Sequence, residues 1–378
     1  LPIFQARGGI ELRVFYLWDF GVTRQTDRQF GTAVHWDVDL LSGYQSEFVP
    51  NVSADPGTHH FRGLNNPDLS RRLAVWEPDA VLLFGYTWLS HLRVVRWARL
   101  HGVPLIFRGD SHFIGRGPPS LPKRFLLRLL YRQFRAFLAV GAANTEYFRV
   151  LGVRADRIFH APHAVDDTLF DPAREDHRRA AAALRAQLNL SADQSVVLFA
   201  GKFLPAKQPL ELLRAFLSLN DPRATLVFVG DGPLREELRV LAGQHPDANV
   251  KFLPFANQSE MPARYLLADL FVLPSRGLYE TWGLAVNEAM HMGVPALVSE
   301  RVGCQRDLVS DGETGWVFPH HSVAALQEQL GQAISAMRDA NRAQLLRARV
   351  KQRVAHYTYG PASEGLVRAL RSVIPATG

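Results

Sequence analysis

The chain has almost no cysteine and no long apolar run. Among its 378 residues only Cys304 is a cysteine, which excludes an internal disulfide and a metal site built from several thiolates. A reducing compartment fits this composition best. The strongest apolar stretch, residues 125–140, is interrupted by three arginines, so no segment reaches the roughly 18 to 20 residues needed to cross a bilayer. We expect a cytoplasmic protein that is soluble or peripheral to a membrane.

Acidic residues are also fewer than basic ones. Lys and Arg total 43 against 36 Asp and Glu, a formal charge of +7, which predicts an anionic partner. Net charge does not distinguish nucleotides, phospholipid headgroups and nucleic acid. Because the chain carries neither an aromatic-rich platform nor a groove-reading motif, we expect no nucleic-acid partner.

Apolar, β-branched runs alternate with helical patterns in two successive stretches of the chain, which favours parallel sheets. The predicted strands are 12–17, 80–84, 103–107 and 137–140 in the first stretch, and 196–200, 225–229, 250–253, 270–273 and 296–298 in the second. We predict an α/β fold of two doubly wound, Rossmann-like domains facing a cleft. Their predicted bounds are 1–165 and 166–360, with a hinge at 162–172. A final helical pattern, 361–378, is a candidate to pack back on the first domain.

The beginning of the chain departs from this pattern. Residues 1–5 resemble the last turn of a helix and 7–9 resemble its stop, and these residues show neither an initiator Met nor the pattern of a signal peptide. Because a doubly wound domain normally begins with a strand, we expect the first strand to be missing. The alternative is that 12–17 form the true first strand after a short leader. Residues 34–40 alternate like a strand and contain Asp37-Val38-Asp39, whose match to a metal-binding Asp-x-Asp motif we interpret as coincidence.

The strongest motif covers residues 273–290, where a buried strand, a polar loop and a helix starting near Trp282 follow one another. In an open α/β sheet this is where ligands bind, and the free amides of a helix start favour a diphosphate. Glu280 precedes the helix and Glu288 lies about two turns into it, where carboxylates would accept from sugar and ribose hydroxyls. The alternative is that Glu280 is an ordinary glutamate at the N-terminal turn of the helix and Glu288 a solvated one. On spacing alone, this alternative explains the two positions as well as donor binding does.

Two shorter motifs follow other predicted strands. Gly201, Lys202 and Lys207 precede a helix, where two ammonium groups would neutralise a leaving diphosphate; the alternative is two solvated lysines on a surface loop. Gly230 and Gly232 turn a strand into a helix, either exposing backbone to a base or ribose or making a tight turn. The third glycine of a dinucleotide fingerprint is missing.

In this order and spacing, the three motifs resemble those of the retaining family 4 glycosyltransferases of the GT-B fold. That family carries a Gly-Arg/Lys loop with a following Lys, a Val-Gly-Asp/Glu-Gly-Pro turn and a Glu-x7-Glu motif. The resemblance covers roughly residues 159–318 and includes Pro-His-Ala-Val-Asp at 162–166, where Pro-Asn-Gly-Val-Asp is usual, and Gly-Glu-Thr-Gly-Trp-Val at 312–317. It implies sugar transfer, with retention, from a nucleoside-diphosphate sugar to an alcohol on a glycan or lipid-linked intermediate.

The resemblance also implies roles for individual residues. Glu280 would contact the donor sugar and Glu288 the ribose, while the lysines and helix amides would hold the diphosphate without a metal or a further cofactor. The implied catalytic residues are Glu280, His112, Lys207 and Lys202. The implied donor-binding residues are Gly201, Lys202, Lys207, Gly230, Gly232, Glu280, Thr281, Trp282, Gly283, Leu284 and Glu288.

The first domain is less informative. His112 is the best counterpart of the family's histidine near the transferred sugar, although the usual Thr-x-His-Asp context is not reproduced. A loop histidine without a catalytic part is the alternative. Arg108 and Asp110 either pair with each other or face the acceptor. We interpret Cys304 as a small packed residue, since the sequence shows no base beside it.

Residues 116–135 hold six basic residues among apolar ones and no acidic residue. Two interpretations stay open, a basic amphipathic helix on the anionic inner face of a membrane and an ordinary core-facing helix with a basic solvent face. Two rival functions also stay open. A nucleotide-sugar-binding protein without catalysis is favoured by the unusual chain start, whereas a nucleotide-dependent oxidoreductase is disfavoured by the missing glycine.

Overall fold

The computed structural model describes residues 2–6, 9–19, 25–26, 33–34, 37–39, 41–277 and 280–374. In the N-terminal half the elements follow the predicted alternation of strand and helix. In chain order they are α1 (Pro2–Gln5), β1 (Arg13–Tyr16), β2 (Gln25–Thr26), β3 (Ala33–Val34), β4 (Gln45–Phe48), α2 (Leu69–Trp76), β5 (Val81–Phe84), α3 (Leu89–His101), β6 (Leu105–Arg108), α4 (Leu121–Tyr131), β7 (Ala136–Ala139), α5 (Ala142–Val150) and β8 (Ile158–His160).

The C-terminal half continues the alternation. Its elements are α6 (Glu175–Gln187), β9 (Ser195–Ala200), α7 (Pro209–Leu219), β10 (Ala224–Val229), α8 (Arg235–Gly243), β11 (Val250–Leu253), α9 (Met261–Leu266), β12 (Leu270–Leu273), α10 (Leu284–His291), β13 (Ala296–Ser299), α11 (Gln305–Leu308), β14 (Gly315–Phe318), α12 (Val323–Arg338), α13 (Ala340–Val354) and α14 (Tyr359–Val373). All nine predicted strands of the two stretches are confirmed to within two residues at each end.

Two parallel sheets organise these elements. The N-terminal sheet has the order β5-β6-β7-β8 and the C-terminal sheet has the order β11-β10-β9-β12-β13-β14. Separately, β1 pairs with β4 in parallel and β2 pairs with β3 in antiparallel fashion. Because the central strands β9, β10 and β12 of the larger sheet are buried on both faces, their sequences are mostly continuous apolar runs rather than alternating ones.

The prediction of a strand over residues 34–40 is wrong where the structure describes it. Strand β3 ends at Val34, and Asp37 and Val38 lie in a bend. The Asp39 carboxylate accepts hydrogen bonds from the backbone N–H groups of Leu41 and Ser42 at 3.1 and 3.0 Å, which favours a turn over a strand. Residues 35–36 and 40 lie outside the described residues, as do 1, 7–8 and 375–378.

The chain passes between the two halves twice, near Val165 and near Thr358, and these two segments contact each other. Val165 forms an isolated parallel bridge with Thr358, and its N–H donates to the Tyr357 carbonyl at 3.0 Å. Helix α14 then packs on β7 and β8, where Ala369 is fully buried against the N-terminal sheet. A Cβ at Gly365 would lie 1.9 Å from the His160 carbonyl oxygen, so only glycine allows this close approach.

Candidate active site

The three C-terminal motifs follow three neighbouring strands of the larger sheet. The chain enters this sheet at β9, winds outward through β10 and β11, and returns to the other side of β9 for β12, β13 and β14. The switch point of the topology therefore lies between β9 and β12, and ligands of open α/β sheets bind in the crevice at that point. The loop 201–208 follows β9, the loop 230–234 follows β10, and the loop 274–283 follows β12. The fold thus brings all three motifs to one edge.

Glu280 and Lys207 meet at this crevice. Lys207 ends a single 3₁₀ turn, Pro205–Lys207, and its ammonium group forms an ion pair with the Glu280 carboxylate. Glu280 is 9% exposed, so the carboxylate is held away from most of the solvent. Lys202 lies partly buried in the same loop. The arrangement gathers one carboxylate and one ammonium group at this edge of the sheet, with Lys202 in the same loop.

The helix after this loop begins two residues later than the sequence predicts, at Leu284 rather than Trp282. Gly283 precedes it with φ of +97°, a left-handed conformation in which a Cβ would lie 2.9 Å from a methyl group of Val302. The helix therefore starts only after Gly283, at the edge of the sheet where the loop after β12 lies. The Trp282 side chain is 3% exposed and packs among core residues, so only its backbone is available for a donor role. Leu278 and Tyr279 lie outside the described residues.

Glu288 is the second carboxylate of the motif. Its Oε2 accepts a hydrogen bond from the Tyr265 hydroxyl at 2.8 Å, and the Gln258 side chain also bonds it. Burial raises the pKa of Glu288 to about 7, against which the two hydrogen bonds act. Tyr265 is fully buried, so it fixes the direction in which the carboxylate points.

The raised pKa of Glu288 predicts a pH-dependent stability. Between its ordinary pKa of 4.5 and about 7 the folded chain binds more protons at this group than the unfolded chain. Stability is therefore lost as pH rises through that window and levels off above it. Glu288→Gln removes the titration, so from pH ~5 to pH ~8 the variant should gain about 4–8 °C in melting temperature relative to wild type. Thermal unfolding at equal ionic strength measures the melting temperatures of both proteins. If the two melting temperatures changed in parallel with pH, the prediction would be contradicted.

His112 approaches the same loop from the N-terminal half. Its Nδ1 accepts from the Ile114 N–H at 3.1 Å, while backbone carbonyls of Glu280 and Thr281 lie beside the ring. Among the described residues, its buried Nε2 atom has no hydrogen-bond partner of normal geometry. Burial lowers the pKa of His112, which keeps the imidazole neutral near pH 7. The structure thus brings the His112 ring to the backbone of the Glu280 loop, and its role near the transferred sugar stays a prediction.

The two acceptor-side candidates have different partners. Asp110 accepts a hydrogen bond from the Thr281 hydroxyl at 2.6 Å, which joins the loop after β6 to the Glu280 loop. The Arg108 guanidinium instead donates to the carbonyls of Ala161 and Pro162 at 2.8 and 3.3 Å. In these contacts Arg108 and Asp110 bond different partners rather than each other, and the acceptor-side role of both residues stays a prediction. The Arg108 side chain fastens the crossing between the two halves.

Gly230 and Gly232 make a close contact between loops. A Cβ at Gly230 would lie 2.1 Å from the Gly201 carbonyl oxygen, and one at Gly232 would lie 2.8 Å from the Phe203 nitrogen. Both have positive φ, at +136° and +152°. Of the two interpretations of these glycines, their contacts agree with a tight turn, because the backbone of Gly201 and Phe203 occupies the space where a side chain would lie. Their role in donor binding stays a prediction.

Some residues at this site give no signal in the sequence. Tyr265 lies in an apolar helical pattern typical of a core aromatic. The Asp307 carboxylate accepts from the Ala142 N–H at 3.0 and 3.1 Å, joining the two halves across 165 residues of sequence. Asn287, fully buried, donates to the His163 carbonyl at 3.1 Å. Cys304 is fully buried, which confirms its interpretation as a packed residue.

Two groups in the described part of the chain have the spacing of metal ligands. They are Asp55, His59 and His60, and Glu300, His320 and His321. In both, a histidine already bonds the carboxylate, at 2.8 Å for His59 and 2.9 Å for His320. Neither group contains a residue of the predicted donor site or of the Asp37-Val38-Asp39 segment. No helix within the described ranges is long and apolar enough to span a membrane.

The fold is shared with structures of known glycosyltransferases. HepE of Anabaena, in complex with UDP and glucose, superposes with a TM-score of 0.64 at 20% identity, covering 87% of each chain. Sucrose-phosphate synthase of Thermosynechococcus elongatus superposes with a TM-score of 0.70 at 20% identity, covering 99% of this chain and 92% of the other. The chain therefore has the GT-B fold, with two doubly wound, Rossmann-like domains that face a cleft.

Sequence similarity specifies the family. The sequence model described as "Glycosyl transferases group 1" matches residues 181–352, which contain all three C-terminal motifs. The D-inositol 3-phosphate glycosyltransferase of Nocardia farcinica (strain IFM 10152) is 30% identical over 366 residues, covering 86% of this chain and 76% of that protein. The chain belongs to the group 1 glycosyltransferases.

Proposed function

We propose that this chain transfers a hexose-type sugar from a nucleoside-diphosphate sugar to an alcohol on a glycan or lipid-linked acceptor, with retention of configuration. The observation that carries the proposal is the convergence of Glu280, Lys207 and His112, which come from two halves of the chain, at the switch point of the larger sheet. Glycosyl transfer needs groups of this kind, since the leaving diphosphate gains negative charge while the sugar carbon becomes electron-poor.

Each group has a proposed part in donor binding. Lys202, Lys207 and the first amides of α10 hold the diphosphate, so no metal ion or further cofactor takes part. Glu288 accepts from the ribose hydroxyls, and Glu280 binds the sugar. The ion pair between Lys207 and Glu280 supports this division, because it keeps the phosphate-binding and sugar-binding groups side by side. In the same-face mechanism that the motifs imply, a donor phosphate oxygen takes the acceptor proton, and no enzyme nucleophile is needed.

The glycine loop supports this function over a nucleotide-dependent oxidoreductase. In a dinucleotide site the bare backbone of the glycines faces the pyrophosphate. Here the space in front of Gly230 and Gly232 is filled by the backbone of Gly201 and Phe203. The turn therefore does not offer a pyrophosphate the bare glycine backbone that a dinucleotide site requires.

A thermal-shift screen of UDP, GDP, ADP and their hexose conjugates tests the proposal. One nucleoside diphosphate and its conjugate, at about 100 times the dissociation constant, should raise the melting temperature by about 5–10 °C. Addition of EDTA should leave this shift unchanged, and NADH should give none. A response to NADH alone, or a nucleotide response abolished by EDTA, would contradict the proposed donor site.

A further inference from the structure

Within the described chain, helix α4 exposes a stripe of large apolar side chains. Leu121 is 78% exposed, Phe125 63%, Leu126 64% and Leu129 39%. With 3.6 residues per turn, these four side chains occupy one continuous arc of roughly 140°. The opposite side of the helix is buried, with Leu127 and its neighbours in the N-terminal core. Helix α4 is therefore apolar on two sides, of which only one packs on the protein.

Basic side chains border this stripe on both edges. On the helix surface Lys123 lies beyond Leu126, whereas Arg124 and Arg128 lie beyond Leu121. The two guanidinium groups donate to the Val150 carbonyl, at 3.2 and 3.3 Å, which keeps them beside the helix. The segment 111–145 contains no acidic residue, so the charge that this stretch of chain contributes beside the stripe is of one sign.

We propose that helix α4 docks the protein on an anionic phospholipid surface, with the stripe in the acyl–headgroup boundary and the basic side chains among the headgroup phosphates. The partner must be apolar in the centre and negative at the rim, which is the chemistry of such a surface. A second copy of the chain fits poorly, because stripe-to-stripe contact would bring two sets of basic side chains together. Of the two sequence interpretations of residues 116–135, the exposed stripe favours the membrane helix.

The loop before α4 connects this surface to the candidate active site. Residues 109–120 carry His112, which lies against the Glu280 loop, and Gly115, whose Cβ position is 3.5 Å from the Arg301 side chain. Leu121 follows His112 by nine residues, a span of no more than about 32 Å. Docking would therefore hold His112 within this distance of the helix on the lipid surface, from which a lipid-linked acceptor presents its hydroxyl. This last step rests on the proposed function, whereas the docking rests on α4 alone.

Vesicle co-sedimentation of the full chain tests the docking. Phosphatidylcholine vesicles that also contain phosphatidylglycerol should bind the wild type at least about 20-fold more tightly than pure phosphatidylcholine, and salt should weaken the binding. Phe125→Ser with Leu126→Ser should reduce binding to the anionic vesicles more than about tenfold. Val75→Ser with Leu100→Ser, at positions 78% and 71% exposed on α2 and α3, is the matched control and should bind like wild type.

Three outcomes would overturn the docking. The first is that the wild type does not bind anionic vesicles, and the second is that the stripe variant binds them as tightly as the control variant does. The third is that the wild type forms dimers but binds no vesicles, and the stripe variant is monomeric. The nucleotide thermal shift, measured on the same samples, separates this proposal from the proposed function. A stripe variant that keeps its nucleotide response is folded, so its loss of vesicle binding supports the docking. A wild type that binds vesicles without responding to any nucleotide contradicts the donor site only.

Discussion

Replacing Glu280 by glutamine is expected to lower kcat for sugar transfer by about 10²- to 10³-fold while changing the affinity for the nucleoside diphosphate less than about threefold. Glutamine keeps the size of the side chain and removes its charge, so the 9% exposed site stays filled and the loop keeps its packing. In the proposed site Glu280 contacts the donor sugar while Glu288 and the lysines hold the nucleotide, so the loss should fall on the transition state. Initial-rate kinetics with the donor found in the thermal-shift screen measure the effect.

The matched control for Glu280 is Glu211→Gln. Glu211 lies in the first turn of α7, close along the chain to Lys207, and pairs with Arg276 at 3.2 Å. Like Glu280, Glu211 is a carboxylate in an ion pair in this region, but it has no predicted part in donor binding. An exposed ion pair of this kind contributes little to stability. Its kcat should stay within about twofold of wild type. If Glu280→Gln also kept kcat within about threefold, Glu280 would have no catalytic part.

Replacing Glu288 by alanine should weaken binding of the nucleoside diphosphate by about 10- to 100-fold, with a much smaller change in kcat at saturating donor. In the proposed site the Glu288 carboxylate accepts from both ribose hydroxyls, and alanine removes that charged acceptor. The raised pKa of Glu288 adds a pH dependence to this prediction. The carboxylate is half protonated near pH 7 in the free protein, and only its ionised form accepts fully from the ribose hydroxyls. Calorimetric titration at pH ~6 and ~8 should show affinity rising with pH in wild type and not in the variant.

Tyr265→Phe is the control for Glu288. It removes the hydroxyl that bonds Oε2 and leaves the carboxylate in place, so it separates the orientation of Glu288 from its charge. We expect a loss of nucleotide affinity of about three- to fivefold, between wild type and Glu288→Ala. A loss in Tyr265→Phe as large as in Glu288→Ala would mean that local packing, and not the carboxylate, holds the nucleotide.

The sequence predicted the layout of the site because the layout depends on strand order. Three motifs that each follow a buried apolar run must meet at one edge once those runs pair in parallel, and the ion pair of Lys207 with Glu280 follows from that meeting. The residues that the sequence could not reveal act through distant contacts. Tyr265 has the periodicity of a core residue, and Asp307 meets Ala142 only because the two halves face each other.

The errors of the sequence analysis have local physical causes. The start of α10 was placed two residues early, because the left-handed conformation of Gly283 is not visible in an apolar pattern. The alternation at 34–40 resembles a strand, but Asp39 bonds backbone N–H groups ahead of it and forms a turn. Strand β14 was not predicted, although its Gly-Trp-Val segment belongs to the motif at 312–317.

The most direct test of the division of roles between the two glutamates is binding of the nucleoside diphosphate alone, titrated side by side into Glu280→Gln and Glu288→Ala. This ligand carries the ribose and the diphosphate but lacks the hexose that is transferred. It can therefore contact the proposed Glu288 site and not the proposed Glu280 site. We expect near-normal affinity in Glu280→Gln and a loss of about 10- to 100-fold in Glu288→Ala. Equal losses in both variants would contradict this division of roles.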